Sequence, residues 1–297
     1  VYKISADSVY LLHQVSIEGQ AYLDTLESIE LENTAVGTAF LTDSGLMVTA
    51  RHCIEPWIDD TEWDGSLDAK QLSPEMRLAL RAETGNRTEG ERNYIVRSHC
   101  VITKGLERYE FYSTDFSMNK SRDLILRIGT RNSPQYWRTI IPVANNRNME
   151  LGDFAYVRID TLAGKSKLLL ANRNEMKEFG KSGNGREIEI AGFPVLDNGY
   201  MEGVKVIPGN VMMLDSYQKD SLYSEGCIPL SGEINRGNSG GPVLTLIGKE
   251  VRVIGIVSKV DSHADKAVFW AVPSTEILNL REHNDTIKEE FSTYRRR

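Results

Sequence analysis

Short apolar runs separated by polar turn residues recur along the chain, and few segments have a helical pattern. Glycine, asparagine and proline punctuate the runs. Many short strands divided in this way favour an all-β barrel or sandwich. The predicted strands are residues 8–12, 36–41, 46–50, 124–128, 154–159, 187–191, 203–207, 242–246, 251–257 and 267–272.

The clearest strand pair is residues 36–41 and 46–50. The four residues between them, Thr-Asp-Ser-Gly, form a turn that contains Gly45. Two apolar runs joined by so short a turn predict a β-hairpin.

Two segments predict helices. Ser73, Pro74 and Glu75 supply a cap, a first-turn proline and a first-turn acid for a helix that runs to residue 81. Ser274 precedes an amphipathic stretch near the end of the chain. The first helix lies in a polar, charged stretch from about residue 55 to 97 without clear strand alternation, which we interpret as an insertion and not as a separate domain.

Composition narrows the class of protein. The 297 residues are 40% hydrophobic and 26% charged, which is typical of a soluble globular chain with a buried core. A formal charge of −7 gives no general electrostatic reason to bind nucleic acid or an anionic membrane. No apolar run approaches the ~20 residues that span a bilayer, and the first residues do not resemble a signal peptide.

The three cysteines, Cys53, Cys100 and Cys227, have no metal-binding spacing and are odd in number. Reduced thiols are therefore expected, which favours a cytoplasmic over a secreted location. No metal or cofactor is implied.

The most informative segment is residues 235–242, NRGNSGGP. Ser239 lies in a glycine-rich turn that would expose its hydroxyl. Gly237 would let its own N–H and that of Ser239 point at one spot, which is the arrangement of an oxyanion hole. A serine nucleophile also needs a base, and His52 follows the predicted hairpin directly.

Together these two segments resemble the chymotrypsin-like serine peptidases, and within them the HtrA-like bacterial branch. The hairpin and His52 are similar to the family's G-T-G-F and V-T-A-A-H-C segments, and residues 235–242 to its nucleophile loop. Further likeness lies in residues 153–159, 187–194, 253–258 and 269–274. The resemblance covers roughly residues 8–52 and 150–285.

The resemblance implies an all-β fold of two six-stranded antiparallel barrels. A single peptidase domain would comprise the first barrel (1–165, with a helical insertion at about 55–97), the second barrel (166–275), and a C-terminal helix and tail (276–297).

The resemblance also assigns catalytic roles. Ser239 would attack the scissile carbonyl, His52 would act as base, and Asp153 would orient the imidazole. The N–H groups of Gly237 and Ser239 would hold the oxyanion. Asp123 is a rival to Asp153, because it too precedes an apolar strand; Asp153 is favoured because a small Ala follows two residues later and the second-barrel segments follow directly.

Substrate-binding residues follow from the same alignment. Ser258 corresponds to a serine hydrogen-bonded to the catalytic acid, and Ser258, Lys259 and Val260 would pair with an extended substrate. Glu233 at the pocket base would favour basic side chains, whereas Val260 and Val268 would narrow the pocket to small aliphatic ones. Small aliphatic residues are favoured.

Departures from the family pattern are also visible. Asn238 replaces the aspartate that pairs with a new N-terminus in zymogens, which argues against activation by N-terminal cleavage. Gly37 replaces a cysteine that would bridge Cys53, and Arg51 replaces an alanine, for which the sequence offers no reason. The residues after Pro273 are too few for a PDZ domain.

The expected function is a serine endopeptidase that acts on extended polypeptides, regulated by the 55–97 insertion or by a protein partner that binds there. Its activity would rise with pH with an apparent pKa near ~6.5–7. The alternative is a catalytically silent pseudopeptidase that binds proteins. No nucleic-acid or membrane partner is expected.

Overall fold

A computed structural model describes residues 1–17, 20–56, 94–118, 152–181, 186–196, 199–200, 203–212, 226–261 and 268–294. These residues are mostly β, with a curled half-barrel sheet and a closed barrel. The predicted helix from Ser73, the predicted strand at residues 124–128 and Asp123 lie outside the described residues.

The first unit is the half-barrel sheet, which has seven described strands where six were expected. Its strand order is β5-β4-β1-β2-β3-β7-β6. The strands are β1 (Tyr2–Ile17), β2 (Gln20–Leu41), β3 (Leu46–Thr49), β4 (Tyr94–Lys104), β5 (Glu107–Tyr112), β6 (Ser117–Met118) and β7 (Ala155–Arg158).

The predicted hairpin is confirmed within this sheet. Strands β2 and β3 pair antiparallel from Ala39 with Thr49 to Leu41 with Met47. Gly45 has a φ of 79°, which glycine adopts without strain. The hydroxyl of Thr42 accepts a hydrogen bond from the N–H of Leu46 at 3.1 Å, which closes the turn.

The second unit is a closed barrel with the strand order β11-β12-β15-β14-β13-β8, and a short β9-β10 ribbon lies outside it. The barrel supplies the six strands expected for this half. Strands β8 to β15 are Glu187–Gly192, Val195–Leu196, Gly199–Tyr200, Lys205–Val211, Ile228–Gly232, Pro242–Ile247, Glu250–Asp261 and Val268–Pro273.

Among the described residues, two α-helices accompany the barrel, α1 (Arg173–Lys181) and α2 (Ser274–Tyr294). Helix α2 confirms the predicted C-terminal helix, which begins at Ser274 as expected, and the hydroxyl of Ser274 donates to the carbonyl of Ala171 at 2.8 Å. Helix α1 was not predicted.

A capping box that could have revealed α1 is present in the sequence. The side-chain oxygen of Asn172 accepts hydrogen bonds from the N–H groups of Asn174 and Glu175, at 2.9 and 3.0 Å. The carboxylate of Glu175 in turn accepts one from the N–H of Asn172 at 2.8 Å. An Asn followed three residues later by Glu is a recognised helix start.

Buried side chains form a core inside each unit and a third cluster that joins the two. Contributions to this joining cluster come from β2, β3 and β7 of the sheet, from β14 and β15 of the barrel, and from α2. Its buried members are Phe40, Leu46, Val48, Phe154, Tyr156, Val253, Ile256, Val272, Ile277 and Leu280. Apolar burial therefore holds the two units together.

The described ends of the presumed insertion belong to the fold. Glu55 is fully buried, and residues 94–97 form the start of β4. Glu55 and residues 94–97 of the predicted insertion therefore belong to the first unit.

Candidate active site

His52 and Asp153 are brought together by neighbouring strands. His52 lies in a 3₁₀ turn, Arg51–Cys53, just after the end of β3, and Asp153 lies just before the start of β7. Because β3 and β7 pair antiparallel, with Thr49 opposite Ala155, these two ends meet at one edge of the sheet.

The Asp153 carboxylate holds His52 at two points. Its Oδ1 accepts a hydrogen bond from the backbone N–H of His52 at 3.0 Å, and its Oδ2 lies 2.8 Å from Nδ1 of the ring. Since an ionised carboxylate only accepts hydrogen bonds, Nδ1 carries the proton and Nε2 faces away from Asp153.

The charge state of His52 is set by the same contact. Burial of the ring disfavours its charged form, but the attraction of the Asp153 carboxylate outweighs it, so the pKa of His52 is raised well above 6.5. The apparent pKa near ~6.5–7 expected for the activity stays a prediction, and the direction of this shift favours a higher midpoint.

Ser258 and Ser239 join this pair from the barrel. The hydroxyl of Ser258 donates to Oδ2 of Asp153, the oxygen that also meets His52. The hydroxyl of Ser239 donates to the backbone carbonyl of Ser258 at 3.4 Å. The four residues therefore form one hydrogen-bonded chain across the junction of the two units.

In the loop that carries Ser239, hydrogen bonds hold the carbonyls of two peptide groups. The carbonyl of Arg236 accepts from the N–H of Val195 at 2.7 Å, and that of Asn238 accepts from the N–H of Gly241 at 2.8 Å. In a trans peptide the following N–H points the opposite way, so the N–H groups of Gly237 and Ser239 face away from these anchors.

Those two N–H groups are available to a ligand. Among the described residues, no backbone carbonyl accepts a hydrogen bond from the N–H of Gly237 or of Ser239. Two unpaired donors beside a serine hydroxyl are what an oxyanion hole requires.

Two glycines in this loop cannot carry side chains. Gly237 has a φ of 87°, and a Cβ there would come within 2.2 Å of the carbonyl oxygen of Phe193. Gly240 has a φ of 84°, and a Cβ there would come within 2.1 Å of the carbonyl oxygen of Thr38. The glycines of the motif are therefore required by backbone conformation and by close packing.

The structure explains Arg51, which the sequence left without a reason. Its Nε lies 2.8 Å from Oε2 of Glu55, one turn further along the chain. The carboxylate of Glu55 is buried, with a side chain only 1% exposed, and the side chain of Arg51 is 12% exposed. Arg51 neutralises a buried acid on the turn that carries His52, which a local i, i+4 pattern could have indicated.

Gly37 and Cys53 are neighbours, as the resemblance implied. A Cβ at Gly37 would lie 2.3 Å from Sγ of Cys53, so the glycine makes room for the thiol. Cys53 and Cys100 are buried and form no disulfide. The thiol of Cys53 lies 3.6 Å from the carbonyl oxygen of Ser239 and so packs against the loop that carries Ser239.

Asn238 is the least satisfied polar residue of the loop. Its side chain is fully buried, and neither its amide oxygen nor its amide nitrogen has a hydrogen-bond partner in the described part of the chain. The amide oxygen packs against Gly192, where a Cβ would lie 2.5 Å away.

The predicted substrate-binding residues divide into two groups. Ser258 and Val268 are buried beside the barrel core, whereas Glu233 is exposed. The backbone of Lys259 and Val260 belongs to β14, with Val260 opposite Phe269, but their side chains lie outside the described residues. A bulge between Val257 and Val260 interrupts the pairing with β15.

Within the residues that the structure describes, no group of three or more histidines, cysteines, aspartates and glutamates could hold a metal ion. In the same residues, no helix has both the length and the apolar character needed to cross a membrane.

Comparisons with known proteins give matches in structure. No family model matches the chain, and no curated protein matches its sequence. The Rv3671c protease from M. tuberculosis in its active form is 12% identical, with a TM-score of 0.38 over 90% of this chain and 75% of that chain. An inactive serine-to-alanine mutant of the same protein is 12% identical, with a TM-score of 0.39 over 93% and 85%.

A third similar structure is a serine-to-alanine variant of the HtrA-type protease AlgW with a tripeptide. It is 14% identical, with a TM-score of 0.42, and the match covers 93% of this chain and 60% of that chain. The chain thus spans less than two thirds of AlgW. These neighbours are described as proteases.

The architecture itself agrees with what the sequence resemblance implied. A half-barrel sheet carries His52 and Asp153, a closed barrel carries Ser239 and Ser258, and the four meet where the units join. The described residues thus form a mostly β fold of a curled half-barrel sheet and a closed six-stranded barrel.

Proposed function

We propose that the protein is a serine endopeptidase that cleaves peptide bonds through an acyl-enzyme on Ser239. The observation that carries the proposal is the hydrogen-bonded chain from His52 through Asp153 and Ser258 to Ser239, beside the two unpaired N–H groups of the nucleophile loop. In the proposal, His52 supplies the base, Asp153 orients it, and Ser239 supplies the hydroxyl beside the N–H groups that would hold the oxyanion.

In the proposed reaction, Oγ of Ser239 attacks the scissile carbonyl carbon and its proton passes to Nε2 of His52. The N–H groups of Gly237 and Ser239 stabilise the oxyanion. When the C–N bond breaks, His52 returns the proton to the leaving amine. Water then attacks the acyl-enzyme with His52 again as base, which releases the acid and restores Ser239.

The hydrogen bond of Ser239 fits a resting state in this scheme. Its hydroxyl has a single proton, and donation of that proton to the carbonyl of Ser258 excludes donation to His52. A protonated His52 cannot accept a hydrogen bond at Nε2. Loss of that proton as the pH rises would let the Ser239 hydroxyl turn and donate to Nε2 of the ring. The raised pKa of His52 would therefore keep Ser239 in its resting position up to a higher pH.

We further propose a preference for small aliphatic side chains at the cleaved residue. The burial of Val268 and the exposure of Glu233 support this choice over basic side chains, because an exposed carboxylate is screened by water. The backbone of β14 at Ser258–Val260 would pair with an extended substrate. Profiling with peptides that vary at this one residue tests the preference.

Reaction with a fluorophosphonate tests the proposed function. Oγ of Ser239 would displace fluoride from phosphorus, and one phosphonyl group would be added to the intact mass of the protein. Ser239→Ala should show no adduct. If the native chain shows none either, the silent alternative that binds proteins would be favoured.

Regulation by the insertion remains part of the proposal. Removal of residues 57–93, joined by a short linker, should change the labelling rate if the segment controls access to Ser239. An unchanged rate and unchanged partner binding would exclude that role.

A further inference from the structure

We infer that Thr38 is a positioning residue for the oxyanion hole, and that its hydroxyl holds the nucleophile loop in the reactive geometry. The inference rests on the proposed function, because it concerns the loop that would stabilise the oxyanion. Thr38 lies in the first unit and has no role in the proposed reaction scheme itself.

Thr38 contacts the carbonyl groups of Gly237 and Ser239, the two neighbours of Asn238 in the sequence. Its Oγ1 donates a hydrogen bond to the carbonyl oxygen of Gly237 at 2.6 Å. Its backbone N–H donates to the carbonyl oxygen of Ser239 at 2.7 Å. The two carbonyls belong to the loop residues whose N–H groups would bind the oxyanion, so one residue fixes the loop on both sides of its centre.

The hydroxyl of Thr38 also accepts a hydrogen bond, from the N–H of Phe193 at 3.1 Å. Phe193 lies just after β8 in the barrel, and its own carbonyl oxygen packs against Gly237. A hydroxyl offers one donor and two acceptor positions, so Thr38 can link Phe193 and Gly237 at the same time. Valine, which has nearly the same shape as threonine, can do neither.

Thr38 is itself held in place by burial and by a hydrogen bond to the neighbouring strand. Its side chain is fully buried, and its carbonyl accepts a hydrogen bond from the hydroxyl of Thr49 at 2.8 Å on the neighbouring strand β3. Thr38 is therefore held within the sheet. Through its hydrogen bonds to Gly237 and Ser239 it fixes the loop of the barrel relative to that sheet.

Loss of the hydroxyl would loosen the loop. The carbonyl of Gly237 and the N–H of Phe193 would both lose a buried partner. The peptide between Gly237 and Asn238 would keep the 3.2 Å hydrogen bond from the N–H of Asn238 to the carbonyl of Asn235 but lose its shorter one, so the N–H groups on either side of it would converge less firmly. Oxyanion stabilisation depends on donors that are fixed before the reaction, so the chemical step should slow while substrate binding changes little.

The test is the rate of fluorophosphonate labelling of the full chain as a function of pH. Thr38→Val should lower the high-pH plateau at least about tenfold, toward the roughly 10²–10³-fold loss that follows removal of an oxyanion donor. The apparent pKa should stay where it is in the native protein, because Thr38 does not contact His52. Thr38→Ser, which keeps the hydroxyl, should label within about threefold of the native rate.

Thr245→Val is the matched control. Thr245 is also a buried threonine whose hydroxyl donates to a backbone carbonyl, that of Glu187 at 3.0 Å, but it lies in β13 of the barrel wall. It should lower the melting temperature without lowering the labelling rate. Equal slowing by Thr38→Val and Thr245→Val, or an unchanged rate in Thr38→Val, would overturn the inference.

Failures of the two proposals can be told apart. The native chain reports on the function, since a native chain that does not label removes the reaction that Thr38 is said to assist. The variants report on Thr38. If Thr38→Val does not fold, Thr38→Ala compared with Thr38→Ser isolates the same hydroxyl, and equal rates for that pair would also overturn the inference.

Discussion

The contact between His52 and Asp153 decides how the site responds to pH. A carboxylate oxygen 2.8 Å from Nδ1 stabilises the imidazolium, and this raises the pKa of His52 despite the burial of the ring. The raised pKa of His52 increases the fraction of imidazolium at any given pH. A protonated ring is the acid of the proposed scheme but cannot serve as its first base.

We expect the rate of fluorophosphonate labelling to rise with pH around a midpoint clearly above 6.5. Asp153→Asn should move this midpoint down, because the charge that favours imidazolium is removed. It should also lower the plateau by about 10³–10⁴-fold, because the ring loses its orienting partner. A rate that is flat from pH 5 to 9 in the native protein would contradict the role of His52.

The same contact links pH to stability. The folded-state pKa of His52 lies above its unfolded value. The charged pair therefore stabilises the fold fully below about pH 6.5, and the contribution is lost as the pH rises through the folded-state pKa. The most active form should thus be slightly less stable than the resting form, which unfolding in urea at two pH values can measure.

Asn238 shows the cost of a buried polar group without partners. In Asn238→Asp, a carboxylate would replace a neutral amide at a fully buried position that has no hydrogen-bond partner among the described residues. Its pKa would be raised by desolvation. We expect a loss of about 3–5 kcal/mol in the free energy of unfolding at neutral pH.

That loss should shrink in acid. The variant's carboxyl group binds its proton more tightly when folded, so its penalty grows as the pH rises above about 4. Urea unfolding at pH 4 and pH 8 measures the difference. Asn238→Ala, which adds no charge, should show no such pH dependence; a parallel dependence in both variants would contradict the explanation.

At the scale of elements, the 3₁₀ turn Arg51–Cys53 depends on a local ion pair. Glu55→Ala would leave the charge of Arg51 in a largely buried place, and we expect it to lower the free energy of unfolding by about 3–5 kcal/mol. Equilibrium unfolding in urea provides the measurement.

Glu250→Ala offers a matched comparison. Glu250 also pairs with an arginine, Arg252, but its side chain is 67% exposed. Its removal should cost about 0–1 kcal/mol, because water screens an exposed pair. Equal costs for the two variants would mean that burial of Glu55 does not matter.

Elements were predictable where their signal is local. The hairpin of β2 and β3 follows from two apolar runs and a short turn, and its position before His52 places the base. Asp153 could be chosen over Asp123 by its position along the chain, and the structure puts it against His52. Helix α1 also had a local signal in the capping box of Asn172 and Glu175, although the short apolar runs around it favoured strands.

Contacts between distant segments could not be predicted in this way. Thr38 lies 199 residues from Gly237 in the sequence, and no spacing rule relates them. The pairing of Ser258 with Asp153 came from the family resemblance and not from the residues themselves. The seven-stranded order of the first sheet likewise depends on which strands pair in three dimensions.

At the scale of the whole molecule, the joining cluster sets how firmly the two units are held. Ile277 of α2 is fully buried in it. Ile277→Ala should lower the free energy of unfolding by about 2–5 kcal/mol, through lost burial and the cavity that remains. Glu282→Ala, on the exposed face of the same helix, should change it by less than about 0.5 kcal/mol. Equal effects would place the stabilising contacts elsewhere.

The division of the site between two units has a consequence for the chain during its synthesis and folding. His52 and Asp153 are translated long before Ser239 and Ser258, and neither half holds the complete set. While the barrel is still unfolded, Ser239 and Ser258 are not held against His52 and Asp153. Under the proposed function, the chain would therefore be unable to cleave its own exposed segments until the barrel has formed, when little of the same molecule remains unfolded.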